Sequence, residues 1–223
     1  MAASCKTAIS FKNLHISVKM IKVNHDANIE LNQLCKDSKE RIKYRKYCPH
    51  CDKEITNTDI IKGYQYAENR YVTLTQDELE SLKSDQDKNL TVQYFCKPSE
   101  ISDILLDRCY YLVPEIESEK DYSMFRKAMS ANRVVAICEI ALSTQMELVA
   151  LFPTKREIIA FVLFYENEIN ECPAIMQHRI PKENMDILKY DIIKMTKSFD
   201  WNSHFDKYQV KLRKLITDKI PKR

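Results

Sequence analysis

Residues Arg133–Tyr165 have the sequence RVVAICEIALSTQMELVALFPTKREIIAFVLFY, and this stretch decides the fold class. Apolar β-branched and aromatic residues, which favour strands, recur in Arg133–Leu142, Glu147–Phe152 and Glu157–Tyr165. Two short turn segments separate these strands, Ser143–Gln145 and Pro153–Arg156. Neighbouring strands with tight connections pair antiparallel, so the stretch predicts a barrel or a strongly curved sheet.

Further strands are predicted on the amino-terminal side. Apolar residues alternate with polar ones through Leu14–Val23, with Leu14, Ile16, Val18 and Met20 on one face. This period of two is typical of a strand with one buried face. Shorter strands are predicted at Ala8–Phe11, Leu90–Phe95 and Cys109–Val113, and a helix at Asp121–Met129.

The segment between these strands carries several local signals. RIKYRKY, Arg41–Tyr47, alternates charged residues with Ile42 and Tyr44 and is predicted to be a basic strand. CPHC follows at Cys48–Cys51, and Ile60–Leu74 is predicted to be extended. Thr75 and Glu78 form a capping box for a short helix, Gln76–Leu82, before a polar loop, Lys83–Asn89.

The carboxyl-terminal part changes to helical periodicity. Helices are predicted at Asn184–Lys197 and Phe205–Ile220, and the second has an apolar stripe that includes Phe205, Tyr208, Leu212 and Leu215. Periodicity alone fits packing of this stripe inside the chain or across a dimer equally well. A β-rich body followed by a helical arm makes the fold class α+β.

Composition excludes several functional classes. Gly63 is the single glycine among 223 residues, whereas a P-loop, a dinucleotide-binding fingerprint or a nucleophile elbow each needs several. The longest apolar run, Ile158–Tyr165, is far shorter than the roughly 20 residues that span a bilayer. Since the amino terminus also lacks a secretory signal, we expect a cytoplasmic protein without a membrane partner.

Charge is unevenly distributed along the chain. The net charge is only +3, but Lys36–Lys46 holds six basic residues against two acidic ones. Lys194–Arg223 holds nine against three, whereas Lys97–Tyr122 holds seven acidic residues against three basic ones. Basic residues interleaved with tyrosine suit a surface that contacts phosphates without recognising bases, although solvated faces of other proteins show the same pattern.

Neither a metal site nor a catalytic site is complete in the sequence. Cys48 and Cys51 are two zinc ligands at the usual spacing, and Cys35 is a candidate third, but a structural zinc site needs four. A reduced pair of thiols without metal is the alternative interpretation. The five histidines are scattered and form no catalytic motif with a cysteine or a glutamate, so we expect no enzyme.

The motifs of the middle region resemble those of the prokaryotic Ku family. The resemblance is strongest in Ile42–Leu82, where Lys62-Gly63-Tyr64 is followed by Arg70-Tyr71-Val72-Thr73-Leu74-Thr75 and an acidic helix start. Similarity continues outward through AISFKNLHISVKM at Ala8–Met20 and RCYYLVP at Arg108–Pro114. It also extends to Met124–Ala136 and Asp200–Ile216, so that the motif order is kept over nearly the whole chain.

This resemblance implies a Ku-core β-barrel with an inserted bridge and a carboxyl-terminal helical arm. Residues 1–181 would form the core, with the bridge at about 29–89, and residues 182–223 would form the arm for dimerisation. The chain lacks glycines that the family usually has at the positions of Thr7 and Lys12, and Cys35 stands where the family often has a histidine.

The implied function is sequence-independent binding of double-stranded DNA ends in non-homologous end joining, the repair of double-strand breaks. A homodimeric ring would thread onto the broken end and recruit an ATP-dependent DNA ligase, with no cofactor required and zinc an option. The residues expected to contact DNA are Lys19, Arg41, Lys43, Arg45, Lys46 and Lys62. Those expected at the dimer interface are Trp201, Phe205, Tyr208, Leu212 and Leu215. The alternative is a zinc-ribbon-type module that binds nucleic acid or protein without end specificity.

Overall fold

Seven strands form a closed barrel in the computed structural model, which describes residues 4–82, 88–142, 145–176, 178 and 181–221. Their order around the barrel is β1 (Ser4–Phe11), β2 (Leu14–Lys22), β8 (Leu106–Pro114), β11 (Ile158–Leu163), β10 (Gln145–Pro153), β9 (Val135–Leu142) and β7 (Leu90–Cys96). Every neighbouring pair is antiparallel except β1 and β7, which pair in parallel at Ile9–Leu90 and Ser10–Thr91 and close the barrel. The barrel predicted from the sequence is therefore confirmed.

Strand β2 has the one-sided burial that its alternation predicts. Ile16, Val18 and Met20 are fully buried, whereas His15 and Lys22 are exposed. The buried side chains share one apolar cluster with Leu112 of β8 and further residues from β9, β10 and β11. The barrel interior is thus a packed core, which fixes the register of its strands because a one-residue slip would expose a whole face.

Helix α2 (Glu119–Asn132) packs against the barrel and contributes to this core. Tyr122, Phe125 and Met129 are buried in the same cluster. The Tyr122 hydroxyl donates to the Leu112 carbonyl at 2.7 Å and accepts from the Ile158 N–H at 2.6 Å, and so it links β8 to β11. The helix is longer at both ends than predicted and terminates at Arg133, which has a left-handed φ of 55°.

The inserted region contains two small two-stranded sheets. Strand β3 (Tyr47–Cys48) pairs with β4 (Lys53–Glu54), and β5 (Lys62–Ala67) pairs with β6 (Arg70–Leu74). Helix α1 (Gln76–Ser81) follows, and Thr75 and Glu78 form the expected capping box. Of the predicted loop Lys83–Asn89, residues 83–87 lie outside the described residues.

The prediction of a basic strand over Arg41–Tyr47 is wrong. Residues 42–46 have no regular secondary structure, and only Tyr47 belongs to a strand. Both apolar side chains of the segment, Ile42 and Tyr44, are exposed, so no buried face holds the segment against a sheet. Arg41, Lys43 and Arg45 therefore do not form one strand face opposite to Lys46, because such an alternation requires a continuous strand.

The chain divides into two compact units, Met1–His25 with Ile42–Ile169, and Asp26–Arg41 with Asn170–Arg223. The carboxyl-terminal part of the second unit begins at Asn170, whereas the sequence-based arm begins at residue 182, and the second unit also includes Asp26–Arg41. Within the second unit, Gln209 accepts from the Ile29 N–H at 3.1 Å and donates to the Asn28 side chain at 3.0 Å.

The second unit contains helices α3 (Lys182–Met195) and α4 (Lys207–Lys219). Both predicted helices are confirmed, but α4 begins two residues later than expected. The Asp206 carboxylate accepts from the N–H groups of Tyr208 and Gln209 at 2.8 and 3.1 Å, which makes Asp206 the amino-terminal cap. None of the helices in the described part of the chain is long and apolar enough to cross a membrane.

Candidate nucleic-acid interface

Lys19 lies beside a second lysine on the barrel. Lys6 of β1 and Lys19 of β2 are direct partners in the antiparallel ladder. Both ammonium groups approach the same Glu115 carboxylate oxygen, Lys19 at 3.5 Å and Lys6 at 3.9 Å. Two cations therefore share one anion, and this small surface keeps a net positive charge. The Lys6 side chain is 80% exposed and that of Lys19 is 43% exposed, so both ammonium groups can also reach a phosphate from solvent.

Three of the expected cations, Lys43, Arg45 and Lys46, are exposed on the irregular segment and at the start of the first small sheet. Arg45 forms an ion pair with Glu54 at 3.0 Å, and both side chains are more than half exposed. Lys46 donates from its ammonium group to the Asn57 side chain at 2.6 Å. The Ile55 N–H donates to the Lys46 carbonyl at 2.9 Å, which fastens the segment to β4.

Arg41 belongs to the second compact unit, whereas Lys43 and Arg45 belong to the first. Its backbone forms an isolated antiparallel pairing with Leu34. Its guanidinium donates to the Asn32 side chain. These contacts fold the segment 32–41 back on itself within that unit.

The β5–β6 hairpin presents Lys62 together with residues that were not predicted to bind DNA. Lys62 pairs with Leu74 and Tyr64 pairs with Val72, and beyond a bulge Ala67 pairs with Arg70. Since direct partners and alternate residues of a strand share a face, Lys62, Tyr64 and Arg70 lie on one face of the hairpin. Gln65 and Tyr71 lie on the other. Lys62, Tyr64 and Arg70 are exposed, and so are Gln65 and Tyr71.

The cysteine knuckle brings two of the three candidate zinc ligands together. Cys48 ends β3, and its pKa is lowered because its sulfur accepts hydrogen bonds from the Cys51 N–H and the Cys51 thiol, with Lys53 adding a favourable charge. The same thiol–thiol contact raises the pKa of Cys51. Cys48 therefore favours the thiolate form, whereas Cys51 favours the thiol form. This pair suits metal binding or a reduced dithiol without metal.

Cys35 lies in the second unit, in a turn closed by hydrogen bonds between Cys35 and the backbone of Lys39 and Glu40. Hydrogen bonds from the Ser38 hydroxyl and from the N–H groups of Ser38 and Asp37 lower the pKa of Cys35 to about 7. Among the described residues, no three His, Cys, Asp or Glu side chains are grouped closely enough to hold a metal ion. Zinc bound by Cys35, Cys48 and Cys51 stays a prediction.

The residues expected at a dimer interface are mostly exposed in the single chain. Trp201 is 79% exposed in a short 3₁₀ turn, and its ring contacts Phe199 edge-to-face at 6.2 Å. Phe205, Tyr208 and Leu215 are exposed and Leu212 is half-buried. Such an amount of exposed apolar surface is typical of a protein–protein interface.

Sequence reasoning missed several residues with the same properties. Helix α3 exposes an even larger apolar set: Ile187, Leu188, Tyr190, Ile192, Ile193 and Met195. Its apolar residues occur around the helix and form no single stripe, so periodicity gave no interface signal. Arg70 could have been assigned to the Lys62 face from alternation across the hairpin, whereas the pairing of Lys6 with Lys19 depends on the strand register.

Comparison with known proteins gives a consistent result over nearly the whole chain. The family model of the Ku70/Ku80 β-barrel domain matches residues 10–189. The non-homologous end joining protein Ku of Lachnoclostridium phytofermentans is 32% identical over 97% of this chain and 85% of its own length. The protein of the same name from Archaeoglobus fulgidus is 31% identical over 99% and 88%, and that of Bacillus subtilis is 26% identical over 96% and 71%.

Proposed function

This chain belongs to the Ku family, and from that membership we propose that it is a non-catalytic protein that binds double-stranded DNA ends in non-homologous end joining. The observation that carries the proposal is the match of the family over residues 10–189, together with relatives named for that repair process. The zinc-ribbon-type alternative is not favoured. It rests on the four residues Cys48–Cys51, whereas the match to the Ku family model covers residues 10–189 and includes the barrel.

Sequence-independent binding is supported by the kind of side chains exposed. Lys19, Lys43, Lys46 and Lys62 each carry a compact ammonium group on a flexible stem, which contacts phosphates at any base sequence. We add Arg70 and Lys6 to the proposed surface, since they share a hairpin face with Lys62 and a ladder position with Lys19. Affinity that depends on phosphates falls as salt rises, with log K changing by about 0.9 per phosphate neutralised for each tenfold change in salt.

The proposed assembly is a homodimeric ring that only a free DNA end can enter. Support for a second copy comes from the exposed apolar residues of the arm, with Trp201, Phe205 and Tyr208 as aromatic anchors. Threading explains end specificity without recognition of bases, because the topology of closed circular DNA excludes it from a closed ring. We further propose that the bound protein recruits an ATP-dependent DNA ligase and acts in the cytoplasm on nucleoid DNA.

Zinc is proposed only as a structural ion that the Cys48–Cys51 knuckle binds. Cys48 and Cys51 would supply half of a tetrahedral site, and Cys35 would be the third ligand. Bound zinc would cross-link chain segments without taking part in chemistry. The described geometry of the two adjacent thiols is compatible with this role.

A competition experiment tests the proposed function. The protein is bound to a labelled linear duplex at moderate salt and challenged with excess closed circular plasmid, or with the same plasmid linearised. We expect only the linearised plasmid to displace the label. Equal competition per base pair by circular DNA would show lateral binding and refute the ring, and absence of binding to the linear duplex would refute the proposed function.

A further inference from the structure

An apolar cavity of about 410 Å³ opens at one end of the barrel, beside the carboxyl-terminal half of α2. Phe11 at the end of β1, Phe95 near the end of β7 and Phe125 of α2 form its walls, with Ala128, Met129 and Val134. Asn132 is the single polar side chain in the lining. The volume falls within the range of about 300–1,000 Å³ that is typical of ligand pockets.

The three phenylalanine rings form a preformed aromatic wall. The Phe11 and Phe95 rings meet edge-to-face with centroids 5.2 Å apart, and Phe125 lies 6.0 and 6.3 Å from them. Phe125 is buried in the barrel core, and Phe11 and Phe95 pack against the same cluster. The rings are therefore held in place by the core, so that a bulky apolar group could bind without the entropic cost of ordering them.

Two cations flank the cavity lining along the chain. Lys12 follows Phe11 in the chain, and its ammonium group lies 5.6 Å from the centroid of that ring. Arg133 lies between the lining residues Asn132 and Val134, and both cations are exposed. No lining residue is acidic, and none has an acidic neighbour directly before or after it in the chain.

The carboxyl-terminal end of α2 does not cancel this positive charge. In its last turn, the Ser130 carbonyl accepts from the Arg133 N–H at 3.2 Å and the Met129 carbonyl accepts from the Val134 N–H at 3.1 Å. The Asn132 side-chain amide donates to the Ala128 carbonyl at 2.9 Å. These contacts satisfy part of the carbonyl groups in the last turn, which reduces the repulsion of an anion by the end of the helix.

We propose that this cavity binds a short acidic peptide segment of another protein. One bulky apolar side chain would enter among the three rings, and flanking carboxylates would contact Lys12 and Arg133. A nucleobase fits the cavity less well, since the lining offers only Asn132 as a polar partner and its amide N–H already bonds Ala128. The ring donors and acceptors of a base would be left unpaired there, which disfavours a base in this cavity. The site is separate from the proposed DNA-contacting residues and does not depend on them.

The test uses the whole protein without DNA and a fluorescein-labelled hexapeptide in which Trp-Leu is flanked by two acidic residues on each side. Fluorescence anisotropy should show saturable binding. Ala128→Trp, which fills the mouth from an exposed helix position, should weaken binding by at least about tenfold. Lys12→Asn and Arg133→Asn should each weaken it severalfold, and asparagine tolerates the left-handed backbone of both positions.

Matched controls make each outcome decisive. Lys127→Gln removes a charge from the opposite face of α2 and should leave peptide binding unchanged, and a probe with Ser-Ser in place of Trp-Leu should not bind. Ala128→Trp should keep the circular dichroism and the linear-DNA affinity of the parent, which shows that the fold is intact. No saturable binding up to about 1 mM peptide, or binding that Ala128→Trp leaves unchanged, would overturn the proposal. Displacement of the peptide by a short single-stranded oligonucleotide would assign the cavity to nucleic acid instead.

Discussion

Lys6 and Lys19 are direct cross-strand partners on the barrel, and both approach one oxygen of Glu115. A single carboxylate thus holds two cations on a surface that we propose to contact DNA. Glu115 is therefore expected to weaken DNA binding at this surface, because its ion pairs with both lysines must break before phosphates can contact them. This relationship follows from the strand register, which places Lys6 directly opposite Lys19.

Glu115→Gln should strengthen binding to a linear duplex. The substitution frees both lysines and removes one negative charge, and long ion pairs of solvent-accessible lysines contribute about 0.2–1 kcal/mol each. We expect roughly twofold to fivefold tighter binding, measured by anisotropy at fixed salt. Glu119→Gln removes the same charge from the start of α2 and is the control. An equal gain from both variants would show that only net charge matters and would contradict the role assigned to Lys19.

Arg70→Gln should weaken DNA binding more than Gln65→Glu, although each lowers the net charge by one. The two positions lie on opposite faces of the β5–β6 hairpin, and only Arg70 shares the face of Lys62. Loss of one phosphate contact should lower the slope of log K against log salt by about 0.9. The slope is measured from titrations at several salt concentrations. A larger effect of Gln65→Glu would place DNA on the other face.

Tyr122→Phe should destabilise the fold without altering the proposed DNA-contacting residues. The buried hydroxyl donates to the Leu112 carbonyl and accepts from the Ile158 N–H, and its removal leaves both backbone groups without that partner. The free energy of unfolding should fall by about 1–3 kcal/mol in a urea titration. Tyr165→Phe, which loses only a long 3.4 Å contact to Met146, should change it little. Equal losses would refute the special role of Tyr122.

Alkylation of Cys35 by iodoacetamide should reach half of its maximal rate near pH 7. Hydrogen bonds from Ser38 and Asp37 lower the pKa of this thiol to about 7, so the reactive thiolate forms as pH rises through that value. Ser38→Ala should raise the pKa and slow the reaction at pH 7. The buried thiol of Cys138, whose pKa burial raises, is the internal control and should react last in a mass-spectrometric time course. A plot of the Cys35 alkylation rate against pH with its midpoint near the pKa of an ordinary thiol would contradict the structure.

The same time course with zinc tests the proposed ligand set. If Cys35, Cys48 and Cys51 hold one ion, stoichiometric zinc should protect all three from alkylation and leave the exposed Cys5 and Cys172 reactive. Protection of Cys48 and Cys51 alone would remove Cys35 from the set. Absence of any protection would refute the proposal of zinc.

Leu215→Glu should shift the protein from dimer to monomer. Leu215 is an exposed apolar residue of the proposed interface, and burying a carboxylate without a partner is strongly unfavourable. Light scattering after size exclusion should give a mass near 26.3 kDa for the variant and about twice that for the parent. Lys207→Glu, at the start of the same helix, is the control. A parent mass of one chain would refute the dimer.

Local patterns in the sequence determined the strands with one buried face, the capping box at Thr75 and the two carboxyl-terminal helices. Each of these depends on residues a few positions apart, so periodicity and capping chemistry suffice to predict them. The same reasoning failed for Arg41–Tyr47, whose alternation has no sheet to pack against. A strand needs a partner as well as a pattern, and the ladder here pairs only Tyr47 and Cys48.

Only the tertiary structure decided which distant residues meet. Closure of the barrel through Ile9 and Leu90, the shared carboxylate of Lys6 and Lys19, and the cavity between Phe11, Phe95 and Phe125 all join residues far apart in the chain. Such contacts depend on strand order and register, which burial of the whole core fixes together. The sequence therefore identified the family and the basic residues, whereas the fold decided which of them share a surface.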